Sequence, residues 1–144
     1  MSHSGEQQPQ GRLLIVDDQA NMCWVLEKIL SERGHQVYTA LNGAEALVRL
    51  TNFDCQVAVV DYRLPDIDGL ELMIKMIRVI PYMKFIFMTS YGDAALRQRA
   101  SEMNCFAYFD KPFRNCLMIG AIEDALHAWE SGGNSLMREI LPRV

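Results

Sequence analysis

Short apolar runs alternate with segments of helical periodicity along most of this chain. The clearest run is Val57-Ala58-Val59-Val60-Asp61, whose lack of polar alternation predicts a strand that is covered on both faces. Strands are predicted at residues 13–16, 36–40, 57–61, 85–88 and 105–108. Helices are predicted at about 21–33, from Asn42 past Leu50, from Gly69 to about 79, at about 93–103 and from Lys111 to about 130.

Several residues mark where these elements begin and end. Gly34 follows the first helix and is expected to end it, as a glycine after a helix commonly does. Asn42 is followed three residues later by Glu45, which is the spacing of a capping box at a helix start. Asp93 is predicted to cap the fourth helix, and Pro81 ends the third helical pattern.

Strict alternation of strands and helices predicts an α/β domain with a parallel sheet between two helical layers. The 144 residues fit one such domain. We expect a polar leader at residues 1–10, the folded domain at 11–130, and a linker or tail at 131–144, which begins with Ser-Gly-Gly-Asn.

Composition narrows the classes of function. The formal net charge is −4 and no basic run is present, so nucleic acid is not an expected direct partner. No apolar stretch is long enough to span a membrane, and the first ten residues lack a signal-peptide core, so a cytoplasmic protein is expected. The four cysteines form no metal-binding spacing and are expected to be reduced and mostly buried.

Polar side chains follow four of the predicted strands. The first strand ends at Asp17 and Asp18, the third at Asp61 and the fourth at Thr89, and the fifth leads to Lys111. In an open α/β sheet, ligands bind beyond the carboxyl ends of the strands, where the strand order reverses. These five side chains are therefore expected to converge at one edge.

Each of these signals has a simpler explanation when it is taken alone. An acidic pair after a strand is often a helix cap, and a lone aspartate or a Thr-Ser pair is usually a turn. The joint pattern favours a site, because clustered carboxylates are relieved by a hard divalent cation such as Mg²⁺. With Lys111 and Thr89 as phosphate partners, a carboxylate nucleophile there would form an acyl phosphate.

The segments LLIVDD, VVDYRLPDIDGLEL, FMTSYG and YFDKPF resemble the receiver domain of bacterial two-component response regulators over about residues 11–130. The resemblance implies a flavodoxin-like, doubly wound, five-stranded parallel sheet of order 2-1-3-4-5 with five helices. The segment NMCWVLEKIL further resembles the first helix of receivers from nitrogen-regulation-type transcription activators.

The resemblance implies a role for each acidic residue. Asp61 is expected to be the phosphoacceptor, and Asp17 and Asp18 are expected to hold Mg²⁺ together with Asp61, with Mn²⁺ as a substitute ion. Arg63 is expected to contribute its backbone carbonyl to the metal. Gly69, in the loop after the acceptor, is expected to serve through its permissive backbone.

The remaining implied residues belong to catalysis and switching. Lys111 is expected to pair with the phosphoryl group, and its peptide bond to Pro112 is expected to be cis. Thr89 is expected to be the switch hydroxyl and Tyr108 the aromatic residue that rotates with it.

The implied function is phosphorelay signalling: a sensor histidine kinase phosphorylates Asp61, and the domain switches conformation to control an output domain or effector. A homodimer through helix 4, strand 5 and helix 5 is an expected assembly. Two other hypotheses stay open, a non-phosphorylatable binding module and a phosphohydrolase with an aspartyl-phosphate intermediate. The hydrolase would need an acid/base carboxylate two residues after its nucleophile, where this chain has Arg63, so at most slow self-dephosphorylation is expected.

Overall fold

A computed structural model describes residues 11–90, 92 and 94–131 of the chain, and within them strands and helices alternate. The strands are Arg12–Val16 (β1), Gln36–Ala40 (β2), Val57–Asp61 (β3), Lys84–Thr89 (β4) and Ala107–Asp110 (β5). The helices are Ala20–Glu32 (α1), Gly43–Asn52 (α2), Gly69–Val79 (α3), Ala94–Glu102 (α4) and Asn115–Ser131 (α5). The predicted leader, the tail after Ser131 and the cap at Asp93 lie outside the described residues.

The five strands form one sheet in the order β2-β1-β3-β4-β5, and every neighbouring pair is parallel. This order confirms the doubly wound fold predicted from the sequence. The chain runs outward from β1 to β2 and then returns to place β3 on the other side of β1. The strand order therefore reverses between β1 and β3, where a ligand site is expected in an open sheet.

Each face of the sheet packs against its own helices. Along β1, Leu13 and Ile15 join the cluster under α1 and α5, whereas Leu14 and Val16 join the cluster under α2, α3 and α4. This division follows from the period of two along a strand. β3 is buried throughout, as its uninterrupted apolar run predicts.

The fifth strand begins later than predicted. Asn104 adopts a left-handed backbone conformation with φ of 62°, and the Cys105 amide still donates to Ala100 of α4, so the turn after α4 extends through residue 105. The ladder then starts with Ala107 opposite Ile86. α5 begins at Asn115 and not at Lys111, and it ends one residue after the predicted Glu130.

The described helices include none that is long and apolar enough to cross a membrane. The four cysteines are free thiols, and the expectation that they are mostly buried holds for Cys23 and Cys55, while Cys105 is half-buried and Cys116 is exposed.

The start of α2 is capped from two directions. The Asn42 side chain accepts a hydrogen bond from the Glu45 amide at 2.8 Å, which is the predicted cap. Asp66, from the loop between β3 and α3, accepts from the amides of Gly43 and Ala44, both at 2.9 Å. These bonds lower the pKa of Asp66, and they tie the loop that follows Asp61 to α2.

We predict that Asp66→Ala lowers the free energy of unfolding by about 1 kcal/mol at neutral pH, because two amides at a helix start lose their charged acceptor. The Asp66 pKa is lowered in the fold, so this contribution is present above the ordinary aspartate pKa and is lost as pH falls through the folded-state value. Urea unfolding of both proteins at neutral and acidic pH measures the difference. Asp124→Ala, which removes an exposed carboxylate on α5, is the control, and an equal loss in both variants would contradict the prediction.

Candidate functional site

Three carboxylates meet at the carboxyl edge of the sheet. Asp17 and Asp18 follow β1, Asp61 is the last residue of the adjacent strand β3, and one oxygen from each of the three lies within 4.8 Å of the others. Asp17 is fully buried and Asp61 is 5% exposed, whereas Asp18 is exposed. The Asp17 amide donates to Ala40 at the end of β2, which holds the first carboxylate in line with the sheet.

Lys111 reaches this cluster from the far side of the sheet. Its amide donates to the Thr89 carbonyl at 2.8 Å, so the chain after β5 still follows β4, and its peptide bond to Pro112 is cis. The ammonium lies 2.7 Å from Asp17 Oδ2 and 3.2 Å from Asp61 Oδ2. One ammonium thus pairs with two carboxylates whose side chains are almost completely buried.

The cluster is short of positive charge. Burial and then the charge of Asp17 raise the pKa of Asp61 to about 6, although Lys111 opposes both effects. Burial on its own would lower the pKa of Lys111. The hydrogen bond and the charge of Asp17, and then those of Asp61, have a larger combined effect, so the pKa of Lys111 is raised. Lys111 therefore stays an ammonium, and Asp17 and Asp61 share it.

The donor set fits a hard divalent cation. Mg²⁺ prefers oxygen ligands and is commonly held by one or two carboxylates together with waters and phosphate oxygens. Asp17, Asp18 and Asp61 present such oxygens around one point. Arg63 lines the same cleft, and its amide lies 3.4 Å from Asp61 Oδ1, while the metal-binding role of its carbonyl stays a prediction.

Gly69 brings the start of α3 against the end of β3. A Cβ atom at this position would stand 2.5 Å from the carbonyl oxygen of Asp61. Among the described glycines, only Gly34 has a positive φ, so the expected reason for Gly69, a permissive backbone, is wrong. The position needs a residue without a side chain because two backbones approach closely.

Thr89 and Tyr108 lie on neighbouring strands and project to the same face of the sheet. Thr89 is fully buried at the end of β4, and Tyr108 pairs with Phe87, two residues earlier along that strand. The Tyr108 ring packs against Phe87 at 5.9 Å between centroids and lies under the Arg97 guanidinium at 4.9 Å. Arg97 also pairs with Asp110 at 2.7 Å, which links α4 to β5 beside the aromatic residue.

Sequence reasoning missed two contacts of this site. The Gln19 side chain accepts a hydrogen bond from Lys111 at 3.0 Å, and the only available signal was its place directly after the acidic pair. Arg97 stacks over Tyr108, but nothing in the local pattern of α4 predicts that contact. Both depend on side-chain directions that the topology determines.

A family model described as the response regulator receiver domain matches residues 13–123. The chain is 31% identical over 115 residues to sporulation initiation phosphotransferase F of Bacillus subtilis, covering 80% of this chain and 90% of that protein. It is also 31% identical to the DNA-binding transcriptional regulator NtrC of Escherichia coli over 121 residues. That match covers 84% of this chain and only 26% of NtrC, so the chain spans about a quarter of that relative.

Solved structures show the same fold. A CheY-like receiver domain protein from Methanospirillum hungatei superposes with a TM-score of 0.81 at 30% identity, covering 87% of this chain and all of that one. The response regulator TrrA of Thermotoga maritima, solved in complex with Mg²⁺ and BeF, superposes with a TM-score of 0.70 at 28% identity. The latter match covers 81% of this chain and 99% of TrrA.

We predict that Asp61→Asn stabilises the metal-free protein. Because the folded-state pKa of Asp61 is raised to about 6, the folded state binds an extra proton below that pH, and stability falls as pH rises through this window. The neutral amide avoids this penalty, so the variant should gain about 1–2 kcal/mol above pH 6 and nearly nothing below about pH 4. Chemical unfolding in EDTA across this pH range measures the gain.

Asp124→Asn, which neutralises an exposed carboxylate on α5, is the control for net charge. A gain at Asp61 that is independent of pH, or no gain at high pH, would contradict the assigned cost of burying a charged Asp61 beside Asp17.

Proposed function

The chain belongs to the response regulator receiver domain family, whose members are the signalling switches of two-component systems, and from this premise we propose that Asp61 is its phosphoacceptor. The observation that carries the proposal is the placement of Asp61 Oδ2 at 3.2 Å from the Lys111 ammonium, inside a cluster of three carboxylates. This arrangement supports phosphoryl transfer because it provides a nucleophile and a fixed cation at the place where negative charge develops.

In the proposed step, one carboxylate oxygen of Asp61 attacks the phosphorus of a phosphohistidine on a sensor histidine kinase. The P–O bond forms as the P–N bond breaks, and the electron pair of that bond returns to the imidazole nitrogen. The product is an acyl phosphate on Asp61. A pKa of about 6 leaves most Asp61 side chains ionised at neutral pH, which is the state that attacks.

Lys111 provides the positive charge that this chain itself contributes to the transfer. Its ammonium is held by the fully buried Asp17, so it does not have to leave bulk water when the phosphoryl group arrives. Mg²⁺ held by Asp17, Asp18 and Asp61 would offset the charge of the phosphoryl oxygens, and Mn²⁺ would serve as a substitute because it also prefers oxygen ligands.

The output is a conformational switch on the face formed by α4, β5 and α5. We propose that the Thr89 hydroxyl turns toward the phosphoryl oxygen and that Tyr108, whose ring lies on the same face of the sheet, moves with it. The phosphoryl group would bias two arrangements that already interconvert. An output domain, an effector or a second copy of the chain would read this face, and α5 carries the exposed apolar residue Leu117.

A turnover enzyme is a weaker proposal. A phosphohydrolase that works through an aspartyl phosphate needs an acid/base carboxylate near its nucleophile. Two residues after Asp61 the chain has Arg63, and the neighbouring carboxylates Asp17 and Asp18 are committed to the lysine and to the proposed metal. At most slow self-dephosphorylation by water is therefore expected.

We predict that acetyl phosphate with Mg²⁺ labels the protein with one phosphoryl group and that Asp61→Asn abolishes the label, since the amide is not a nucleophile. Intact-mass spectrometry measures the label. Asp124→Asn, an exposed position on α5, should be labelled like the unaltered protein. Lys111→Met keeps the aliphatic stem and should slow labelling by about 10²-fold. Labelling of Asp61→Asn at the normal rate would refute the assignment.

A further inference from the structure

Gln19 occupies the N-cap of α1, but its side chain does not cap the helix. This position favours short side chains such as serine, threonine or aspartate, which reach the first free amides. The glutamine instead points its Oε1 at the Lys111 ammonium, 3.0 Å away, and its backbone amide donates to Asp17 Oδ1 at 2.9 Å. The side chain therefore serves the site and not the start of the helix.

The Lys111 ammonium has three N–H groups, and the described residues provide three acceptors for them. These acceptors are Asp17 Oδ2 at 2.7 Å, Gln19 Oε1 at 3.0 Å and Asp61 Oδ2 at 3.2 Å. The three N–H directions of an ammonium are tetrahedral, so two fixed bonds determine where the third points. Asp17 and Gln19 together direct the third N–H at the oxygen of Asp61.

The bond to Asp61 is the one that phosphorylation would change. It is the longest of the three, and the carboxylate loses its own negative charge when it becomes an acyl phosphate. The N–H that faces Asp61 is then available for a phosphoryl oxygen, while Asp17 and Gln19 hold the other two. Without Gln19, the ammonium on its flexible four-carbon stem would keep only Asp17 as a fixed support.

We propose that Gln19 is a positioning residue for phosphoryl transfer, which acts by holding the Lys111 ammonium with one N–H aimed at Asp61. The inference rests on the proposed function, since it names the residue that orients the lysine of that same site. Gln19 also lines the cleft of about 300 Å³ that contains Asp18, Asp61 and Lys111, so its side chain lies beside the space where a phosphoryl group would enter.

The test compares Gln19→Ala with Gln19→Met, which keeps the length of the side chain and removes the acceptor. Binding of fluoroberyllate, a stand-in for the phosphoryl group, is measured by calorimetry with Mg²⁺ present. Both variants should bind it about three- to ten-fold more weakly, because the Lys111 ammonium loses one of the two acceptors that orient it. The affinity for Mg²⁺ alone should stay within about two-fold of the unaltered protein, because the carboxylates are unchanged.

A second measurement needs neither metal nor phosphoryl group. Hydrogen exchange of the Lys111 ammonium, followed by ¹⁵N-edited NMR in EDTA, should be faster in both Gln19 variants. Asn21→Ala, at an exposed neighbouring position on α1, should change neither exchange nor fluoroberyllate binding. Thermal unfolding should shift little in any of the three variants, because the Gln19 side chain caps no amide.

Unchanged fluoroberyllate binding in both Gln19 variants would overturn the proposal. So would a Gln19→Met variant that binds fluoroberyllate as tightly as the unaltered protein, or an equal loss of affinity for Mg²⁺ alone. Methionine recovery would assign the effect to bulk, and the Mg²⁺ result would assign it to the carboxylates. If the unaltered protein itself fails to bind fluoroberyllate, the proposed function fails, while the ammonium exchange still reports on the role of Gln19.

Discussion

The structure of this site depends on one electrostatic constraint, the burial of Asp17 and Asp61 beside a single ammonium. Two carboxylates in a dry environment repel each other, and burial alone disfavours their charged forms. Lys111 relieves this repulsion only in part, because burial and Asp17 still raise the pKa of Asp61. The site is therefore electrostatically strained, and that strain favours the binding of a cation.

The fold brings these groups together without help from local sequence. Asp17 and Asp61 end two adjacent parallel strands, and the strand order reverses between them, so no crossover helix covers their ends. Lys111 follows β5, the last strand in the sheet order, and its backbone amide is held by a hydrogen bond to the Thr89 carbonyl. The sheet, whose central strand β3 is fully buried, thus acts as a rigid support on which a 2.7 Å ion pair forms between residues that lie 94 positions apart.

Two further contacts connect the site to the rest of the domain. Asp66 fastens the loop after β3 to the start of α2, so Asp61 is followed by a restrained segment. On the opposite side, Arg97 covers the Tyr108 ring and pairs with Asp110, which joins α4 to β5 at the proposed output face. The loop on one side of the site is therefore restrained by α2. On the other side lie α4 and β5, which the proposed switch would have to rearrange.

The sequence by itself determined the fold class, the sheet order through its family resemblance, and the five polar residues at the strand ends. Strand apolarity and the position of polar residues just after each strand are local signals, so they can be read without coordinates. The start of β5 was misplaced because Cys105 and Phe106 are apolar but precede the strand: Cys105 still bonds back to α4 in the turn that contains Asn104, and Phe106 joins that turn to β5.

Only the tertiary structure decided how the site is held. The contact of Gln19 with Lys111, the cap from Asp66 and the stacking of Arg97 over Tyr108 join residues from different helices, strands and loops, and no periodicity or spacing encodes them. The requirement for glycine at position 69 is likewise a tertiary effect. Only a residue without a side chain fits there, because the start of α3 lies against the Asp61 backbone. Local pattern reports which residues are polar or buried, whereas the packing of helices on the sheet decides which of them meet.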